Sequence, residues 1–502
     1  MLQFMHSFRG KTAPPGILKG LREGRISSFC LFGYNVDTPA QLRQLNERLY
    51  AAAAEGGHLP PIIGIDQEGG QLMAVTSGTT ELPGNMALGA TRSPELAYAA
   101  GRVLARELLA MGVNMNFAPS VDVNNNPANP VIGTRSFGEN PALVGSLAVA
   151  MIRGMQEMGV IATAKHFPGH GDVAGDTHFG GVYVDHPLLR LTEIELPPFK
   201  AAIDGGVGAV MTAHINATAL DPDHPSTLSP IILRQLLRSR MDFEGLIITD
   251  AMDMHAVARL GRTKAVCAAL NAGVDLALLG HIPAQLFFAK MIPYTPDPDS
   301  LRRIADARSR LPKWETLPAL DVVGSAEHQQ VAREIAEKSI TLVRDAGRLP
   351  LRLSPDAHIA VVTVQPENLT PADTSADVTI GLDTAIRHYH PRTTGMQIAR
   401  GADASAVRAI ANALDDADVI IIGTINAGED PAQVQLVNLL LDRGKQPIVI
   451  ALRVPYDLTH FLRVETYLCT YSIRQPSIDA LARALFGELT PTGTLPCAIP
   501  EI

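Results

Sequence analysis

The chain has 502 residues, of which 46% are hydrophobic and 19% are charged, and its net charge is −9. This is an ordinary globular composition, and the length predicts two or more domains. The charge excludes a typical nucleic-acid partner, because phosphate binding needs concentrated lysine and arginine and the chain has no strong basic cluster.

The cysteines and the hydropathy of the chain argue against a disulfide-rich, a zinc-binding or a membrane protein. The four cysteines lie far apart and form no CxxC pair, which argues against a disulfide framework and a structural zinc site. The first residues carry no long apolar run after a basic start, and no stretch approaches the ~18 apolar residues of a membrane span. We therefore expect no signal peptide, no membrane partner and a cytoplasmic location.

Eight short apolar runs, each followed by a loop and an amphipathic segment, occupy the first 280 residues. They cover residues 2–8, 26–33, 61–66, 113–119, 160–167, 208–214, 246–252 and 273–280. Buried parallel strands are continuous apolar runs because helices cover both faces of the sheet. Eight strand–helix repeats in about 300 residues predict an N-terminal (β/α)8 barrel of the TIM type.

A second α/β pattern follows a segment, residues 292–318, that mixes prolines with charged residues and that we interpret as the barrel's exit. Four apolar runs alternate there with helical segments, at 359–364, 419–423, 447–452 and 466–472. They predict a C-terminal α/β sandwich domain with a mostly parallel sheet. The pattern contains no G-x-G-x-x-G or Walker A loop, so we expect no nucleotide cofactor. We assign residues 1–315 to the barrel with its exit linker and residues 316–502 to the second domain.

Polar residues recur where the barrel runs end. They are Asp66, Lys165, His166, His214 and Asp250. Each has an ordinary explanation by itself, because polar residues commonly follow strands. A barrel of this type, however, builds its active site at the carboxyl ends of its strands, so together the five residues predict one site.

The stretch AKHFPGHGDVAGDTHFGG, residues 164–181, concentrates histidine, aspartate and glycine. One interpretation is a zinc site made from His166, His170, His178, Asp172 and Asp176. The spacing matches neither H-E-x-x-H nor a Cys/His finger, so we expect no metal. His170 is interpreted as a residue that hydrogen-bonds within the loop.

Several motifs follow one another in a distinctive order. They are IDQEGG at 65–70, NFAPSVDVNNNPANPVIGTRSFGE at 116–139, KHFPGHGD at 165–172, DTH at 176–178 and LIITDAMDM at 246–254. In these motifs the chain resembles the glycoside hydrolase family 3 enzymes, specifically the bacterial β-N-acetylhexosaminidase branch. The resemblance covers nearly the whole chain, and the stretch LFGELTPTGTLPCAIP is similar to the end of two-domain members.

The resemblance implies catalytic roles for three residues. Asp250 would be the nucleophile that forms a covalent glycosyl-enzyme, with His178 as the general acid/base and Asp176 orienting it. An imidazole that titrates near pH ~6.5 can give a proton to a leaving oxygen and take one from water. Asp253 is the competing carboxylate, and we interpret it as a loop or cap residue.

The resemblance also implies a sugar-binding set whose donors and acceptors surround the substrate hydroxyls: Asp66, Arg135, Lys165 and His166. Glu68 is interpreted as structural, and Asp122 and Asn124 as residues that shape the pocket floor.

One departure from the family affects the substrate. The family usually continues DQEGG with arginines, one of which contacts the sugar. Here the sequence is DQEGGQLMAV, so that Gln71 and Ala74 stand at those positions. A charged donor is missing there unless a residue from elsewhere replaces it.

The function implied is that of a retaining exo-β-N-acetylglucosaminidase, without metal or cofactor, acting on a small carbohydrate such as a cell-wall muropeptide during peptidoglycan recycling. One alternative is a phosphorylase, since a neutral histidine does not repel phosphate. Another is a β-glucosidase or similar β-glycosidase, which the missing arginine favours. A non-catalytic sugar-binding protein is a further alternative, although the retained catalytic set argues against it.

Overall fold

The computed structural model describes residues 1–177 and 180–500. Eight short parallel strands form the first part of the chain, and each predicted run contains one. They are β1 (Phe4–Met5), β2 (Ser28–Cys30), β3 (Ile62–Ile65), β4 (Met115–Asn116), β5 (Ile161–Phe167), β6 (Ala209–Thr212), β7 (Leu246–Thr249) and β8 (Ala277–Leu278).

The barrel strands are not joined by one continuous ladder. Strands β2 to β7 form a curved six-stranded half-barrel, and β1 pairs with β8 in a separate two-stranded sheet. Isolated bridges connect the two sheets, from His6 to Phe29 and from Ile248 to Leu276. The expectation of a fully closed barrel ladder is therefore corrected. The physical reason is strand length, because β1 and β8 keep ladder geometry over only two residues each.

Alternating side chains of the barrel strands face two different cores. Leu246 and Ile248 point inward, where they pack with Met5, Met115 and other inward-facing residues. Ile247 belongs instead to the larger core between the strands and the surrounding helices. The apolar runs are continuous because both sides of each strand are covered.

Helices surround these strands and continue into the second domain. They are Pro15–Arg22, Pro39–Glu55, Asn85–Thr91, Pro94–Ala110, Pro141–Gln156, Leu188–Glu193, Leu196–Asp204, Ile231–Arg240, His255–Ala258, Arg262–Ala272, Gln285–Lys290, Pro298–Ser309, Ala326–Ser339, Leu382–Tyr389, Ala404–Ala413, Pro431–Asp442 and Gln475–Phe486. Among residues 1–177 and 180–500, no helix combines the length and the apolar character that a membrane crossing requires.

Several helices begin with the same local signal. A capping residue accepts a hydrogen bond from a backbone N–H of the first turn, and a proline whose φ already suits a helix follows it. Thr38 accepts from the Gln41 N–H, Ser93 from the Leu96 N–H and Asn140 from the Leu143 N–H. The boundaries of these helices are therefore encoded locally.

The second domain contains a six-stranded sheet. Its strands are β9 (Thr341–Arg344), β10 (Ile359–Val364), β11 (Thr393–Ile398), β12 (Val419–Thr424), β13 (Ile448–Ala451) and β14 (Thr466–Cys469). They lie in the order β9-β14-β13-β12-β10-β11, and only the β9–β14 pair is antiparallel. The predicted α/β fold with a mostly parallel second sheet is confirmed.

Two of these six strands are not predicted by the apolar runs. Strand β11 is an edge strand with several exposed residues, and β9 is short and exposes Leu342. Edge strands are covered on fewer sides, so their sequences lack the continuous apolar character of the central strands.

The carboxyl ends of the second sheet face the barrel. The loops after β10, β13 and β14 supply Thr374, Arg453 and Arg474, each of which hydrogen-bonds to the 70–73 region of the barrel. The order in which strands are added reverses at β10, because β11 and β12 lie on opposite sides of it. In open α/β sheets such a switch point opens a crevice at the carboxyl edge.

Candidate active site

A cavity of about 570 Å³ lies at the carboxyl ends of the barrel strands. Residues from both domains line it. The residues that carry polar or aromatic groups include Phe32, Tyr34, Asp66, Arg135, Lys165, His166, His170, Thr177, Asp250, Asp253, His281 and Thr374. All four predicted sugar-binding residues and the predicted nucleophile therefore share one cavity.

A buried cluster of alternating charges forms one wall of this cavity. Lys165, at the end of β5, places its Nζ 2.6 Å from Asp66 Oδ1 and 2.7 Å from Glu68 Oε1. Arg135 binds the same Glu68 in a fork, with Nε 3.0 Å from Oε2 and one terminal nitrogen 2.8 Å from Oε1. Two cations and two carboxylates are thus held rigidly, and Asp66 is the member that remains partly exposed.

Electrostatics keep this cluster ionised. Burial alone would raise the pKa of Glu68, but Arg135 and Lys165 outweigh burial and lower it to about 2. Burial alone would lower the pKa of Lys165, but the carboxylates of Asp66 and Glu68 raise it overall. Charged donors and acceptors are therefore held in place at the cavity and need little reorganisation to bind a polar ligand.

Asp122 holds the backbone of the motif residues 165–170. Its carboxylate is fully buried and accepts backbone N–H groups from His166 and His170, at 3.2 and 2.7 Å. It also lies 2.7 Å from His166 Nδ1. This pair places the ring proton on Nδ1, so His166 Nε2 can accept from Arg135 at 3.3 Å. Asp122, which the sequence places only on the pocket floor, is a positioning residue for His166.

Replacing Glu68 by glutamine should destabilise the barrel by about 3–5 kcal/mol, because Arg135 would lose the carboxylate with which it is buried. The pKa of Glu68 is about 2 in the folded protein, below its ordinary 4.5. Its contribution is therefore complete above pH 4.5 and is lost as the pH falls toward 2. The difference in unfolding free energy between wild type and variant should shrink over that interval.

The chain offers a spectroscopic probe and a matched control for this experiment. Trp314 is the single tryptophan, and its ring lies 5.3 Å from that of Tyr50, so its fluorescence reports on the barrel. Glu55 pairs with Arg22 at the surface, and Glu55→Gln should cost less than about 1 kcal/mol. Equal losses in the two variants in urea titrations would contradict the role given to Glu68.

Asp250 and Asp253 both line the cavity but differ in their surroundings. Asp250 directly follows β7, and its Oδ1 accepts from the Ala251 N–H at 2.7 Å. Asp253 Oδ2 accepts from the His281 backbone N–H at 2.6 Å and lies 3.4 Å from His281 Nδ1. Burial would raise the pKa of Asp253, but the contacts with His281 lower it overall. Asp253 thus anchors the loop after β8, in agreement with its interpretation as a loop residue.

The predicted acid/base loop follows β5. Thr177 lines the cavity, and its carbonyl accepts from the Ala256 N–H, which connects this loop to the segment after Asp250. Asp176 immediately precedes Thr177 and is partly buried. His178, the predicted general acid/base, lies outside the described residues.

Two other residues of this loop have structural contacts. Asp172 pairs with Arg190 at 2.9 Å and with His186 at 2.7 Å, which ties the loop to the helix Leu188–Glu193. Burial lowers the pKa of His170 to about 4, so this ring is neutral at neutral pH. The backbone N–H of His170 donates to Asp122, which lies outside this loop, so this contact is not the bond within the loop that the sequence suggested.

The second domain supplies one wall of the cavity through Pro371, Ala372 and Thr374. Gln71 Oε1 accepts from Thr134 Oγ1 at 2.7 Å and from Arg453, and its Nε2 donates to the Ala372 carbonyl at 3.2 Å. Gln71 is therefore an interdomain residue.

An arginine lies beside Gln71, but it does not replace the arginine with which the family contacts the sugar. Arg453 is buried and pairs with Asp373 at 2.8 Å, and it is not among the residues that line the cavity. Ala74 lines the cavity beside Leu72, Pro371 and Ala372. Together with Thr374, these residues form an uncharged wall where the charged donor would stand.

Three aromatic side chains at the cavity's rim are not singled out by the sequence motifs: Phe32, Tyr34 and His281. Their ring centroids lie 4.1 Å apart for Phe32 and His281, and 5.4 Å apart for Phe32 and Tyr34. We call these three residues the aromatic rim. They lie in the loops after β2 and β8. The rule that the active site of such a barrel lies at the carboxyl ends of its strands therefore predicts their position.

Within residues 1–177 and 180–500, no three or more histidine, cysteine, aspartate or glutamate side chains form a group that could hold a metal ion. The described part of the histidine-rich loop instead uses its residues in protein contacts, such as His166 with Asp122 and Asp172 with Arg190.

Comparisons with known proteins identify the family of the chain. The family model for the N-terminal domain of glycosyl hydrolase family 3 matches residues 16–292. Beta-hexosaminidase A of Pseudoalteromonas piscicida is 31% identical over 550 aligned residues, which cover 97% of this chain and 92% of that protein. A beta-hexosaminidase of Thiobacillus denitrificans is 36% identical over 313 residues, covering 60% of this chain and 82% of that protein.

Solved structures extend the similarity through the second domain. A glycoside hydrolase family 3 beta-N-acetylglucosaminidase from Paenibacillus sp. str. FPU-7 matches with a TM-score of 0.91 and 33% identity. The match covers 99% of this chain and 97% of that one. The family model, the full-length relative and the shared two-domain architecture lead to one conclusion: the chain belongs to glycoside hydrolase family 3 and is a glycoside hydrolase.

Proposed function

We propose that this enzyme is a retaining exo-β-N-acetylglucosaminidase in which Asp250 is the nucleophile. The observation that supports this most is the position of Asp250 at the end of β7, in the same cavity as the Asp66–Lys165–Glu68–Arg135 cluster. A carboxylate beside a sugar-binding cluster can attack the anomeric carbon and form a covalent glycosyl-enzyme. The relatives named as beta-hexosaminidase and beta-N-acetylglucosaminidase support the choice of sugar.

The four sugar-binding residues divide the recognition of hydroxyls between charged donors and acceptors. Lys165 and Arg135 are buried cations that donate, while the partly exposed Asp66 accepts. His166, oriented by Asp122, completes the set. Because the charged cluster is fixed by its own ion pairs and lines the cavity, we expect it to hold a terminal sugar, which supports exo action.

The acid/base step is assigned to His178, with Asp176 to orient and polarise it. Histidine suits both half-reactions, because it can protonate the leaving oxygen and then deprotonate water near neutral pH. The hydrogen bond from the Ala256 N–H to Thr177 keeps the segment before His178 beside the nucleophile's loop, which supports this assignment.

The substrate that we propose is a β-linked terminal N-acetylglucosamine on a small carbohydrate, such as a cytoplasmic muropeptide in peptidoglycan recycling. Two alternatives have a specific basis, because the family's charged donor is absent at Gln71 and Ala74, and because a neutral histidine does not repel phosphate. These alternatives are another β-glycosidase specificity, such as β-glucosidase, and a phosphorylase that uses phosphate in place of water.

One panel separates these functions. Nitrophenyl glycosides of N-acetylglucosamine, glucose and related sugars should be assayed with and without phosphate. We expect the β-N-acetylglucosaminide to be cleaved fastest, at a rate that phosphate leaves unchanged, with free N-acetylglucosamine as the product. A sugar 1-phosphate product would establish the phosphorylase, and preference for the glucoside would establish the β-glucosidase. Sugar binding without turnover on any member would establish the non-catalytic binding protein.

A further inference from the structure

The aromatic rim has no role in the chemistry assigned so far, although it lines the same cavity as Asp250. Phe32 and Tyr34 are half-buried, and the His281 side chain is 45% exposed, so part of each ring is accessible to a ligand. The three rings pack against one another, since Phe32 and Tyr34 lie nearly parallel, with 28° between their planes, and the Tyr34 and His281 centroids lie 5.6 Å apart. The parts of the rings that this packing leaves uncovered line the cavity.

The rim is held in place before any ligand arrives. Asp253 fixes His281 through its backbone N–H and its ring. Asn35 accepts from the Phe32 backbone N–H at 3.0 Å and donates to the Phe8 carbonyl at 2.8 Å, which fixes the turn after β2. A preorganised surface loses little freedom on binding, so these contacts favour a binding role.

The position of the rim relative to the charged cluster defines what it can contact. The rim follows β8 and β2, the two neighbours of β1, whereas Lys165 and His166 end β5 on the far side of the ring of strands. An exo-acting enzyme holds the terminal sugar against the charged cluster. The leaving group must then extend the opposite way, past Asp250 on β7 and over β8, β1 and β2.

We propose that the aromatic rim binds the leaving-group sugar of the substrate, by contact between its rings and the apolar C–H face of a pyranose. The electron-rich faces of aromatic rings attract the weakly positive C–H groups of a sugar, and they also bury its apolar face. This inference rests on the proposed glycosidase function. It adds a binding site that the nucleophile and the sugar-binding cluster do not provide.

Two donors that differ only in the leaving group test it. N-acetylglucosaminyl fluoride has no leaving-group ring, whereas the β-1,4-linked disaccharide of N-acetylglucosamine has one. We expect Phe32→Ala to lower kcat/KM about tenfold on the disaccharide, the scale of one aromatic contact. On the fluoride, kcat/KM should stay within about twofold of wild type, and this retained activity also shows that the variant folds.

Further variants separate stacking from general packing. Phe32→Tyr should keep activity on the disaccharide, while Phe32→Leu, which is apolar but has no ring face, should lose most of it. Phe287→Ala is the control, since this phenylalanine is 67% exposed and is not among the cavity residues. The control should behave as wild type on both donors.

The results decide the proposal whatever sugar the enzyme prefers. Equal losses on the two donors would mean that the rim contacts the terminal sugar, and an unchanged disaccharide rate would mean that it contacts no substrate; either result overturns the inference. If the panel shows a preference for glucosides, glucosyl fluoride and the matching disaccharide replace the pair. The rim is then tested independently of the choice of sugar.

Discussion

Replacing Asp250 by alanine should lower kcat by about four to six orders of magnitude, the scale seen when a covalent nucleophile is removed. The reason is that Asp253, the other carboxylate of this loop, is committed to His281 and does not take over. The loss should be measured on a dinitrophenyl N-acetylglucosaminide, for which departure of the leaving group needs no acid. The loss on this substrate then reflects the missing nucleophile and contains no contribution from general acid catalysis.

Chemical rescue and labelling test the role of Asp250 independently of the loss of rate. Azide can enter the space that the Asp250 carboxylate vacates and attack from the same face, so the variant should release the α-glycosyl azide. A fluorosugar inactivator that traps the glycosyl-enzyme should label Asp250 in the wild type. The control is Asp253→Asn, which should keep most of the turnover on the dinitrophenyl substrate. Labelling at Asp253 would overturn the assignment.

Replacing His178 by alanine should have the second largest effect, and the effect should depend on the leaving group. General acid/base catalysis contributes about 10²- to 10⁴-fold, and it matters most when the leaving group is poor. We expect a loss of this size on the disaccharide and a much smaller loss in the first step on a dinitrophenyl glycoside. Because the second step lacks its base, the glycosyl-enzyme should accumulate and a burst should appear.

Azide distinguishes this variant from the nucleophile variant. It attacks the accumulated glycosyl-enzyme from the face opposite Asp250, so the product should be the β-glycosyl azide and turnover should recover. Asp176→Ala should show the same pattern more weakly, because the histidine is present but poorly oriented. Equal losses on good and poor leaving groups, without burst or rescue, would mean that His178 only binds substrate or shapes the loop.

The strand-end residues of the proposed site can be predicted from the sequence, whereas the aromatic rim cannot. Asp66, Lys165, His166 and Asp250 are predictable because each follows or ends a continuous apolar run, and parallel strands of a barrel present their ends on one face. The aromatic rim also lies after barrel strands, but Phe32 and Tyr34 belong to none of the sequence motifs. Only the tertiary structure brings the residues after β2 and β8 side by side.

The sequence by itself determined the fold class, because strand type, helix starts and their alternation are local properties: apolar runs mark buried strands, and capping residues before prolines mark helix starts. Only the tertiary structure decided which long-range partners meet. Examples are Lys165 between two carboxylates about 100 positions earlier, and Arg453 of the second domain beside Gln71. The same holds for the split of the barrel ladder and the uncharged wall at Ala74. The physical reason is that these features depend on contacts between distant segments, and a linear pattern of residues does not contain such distances.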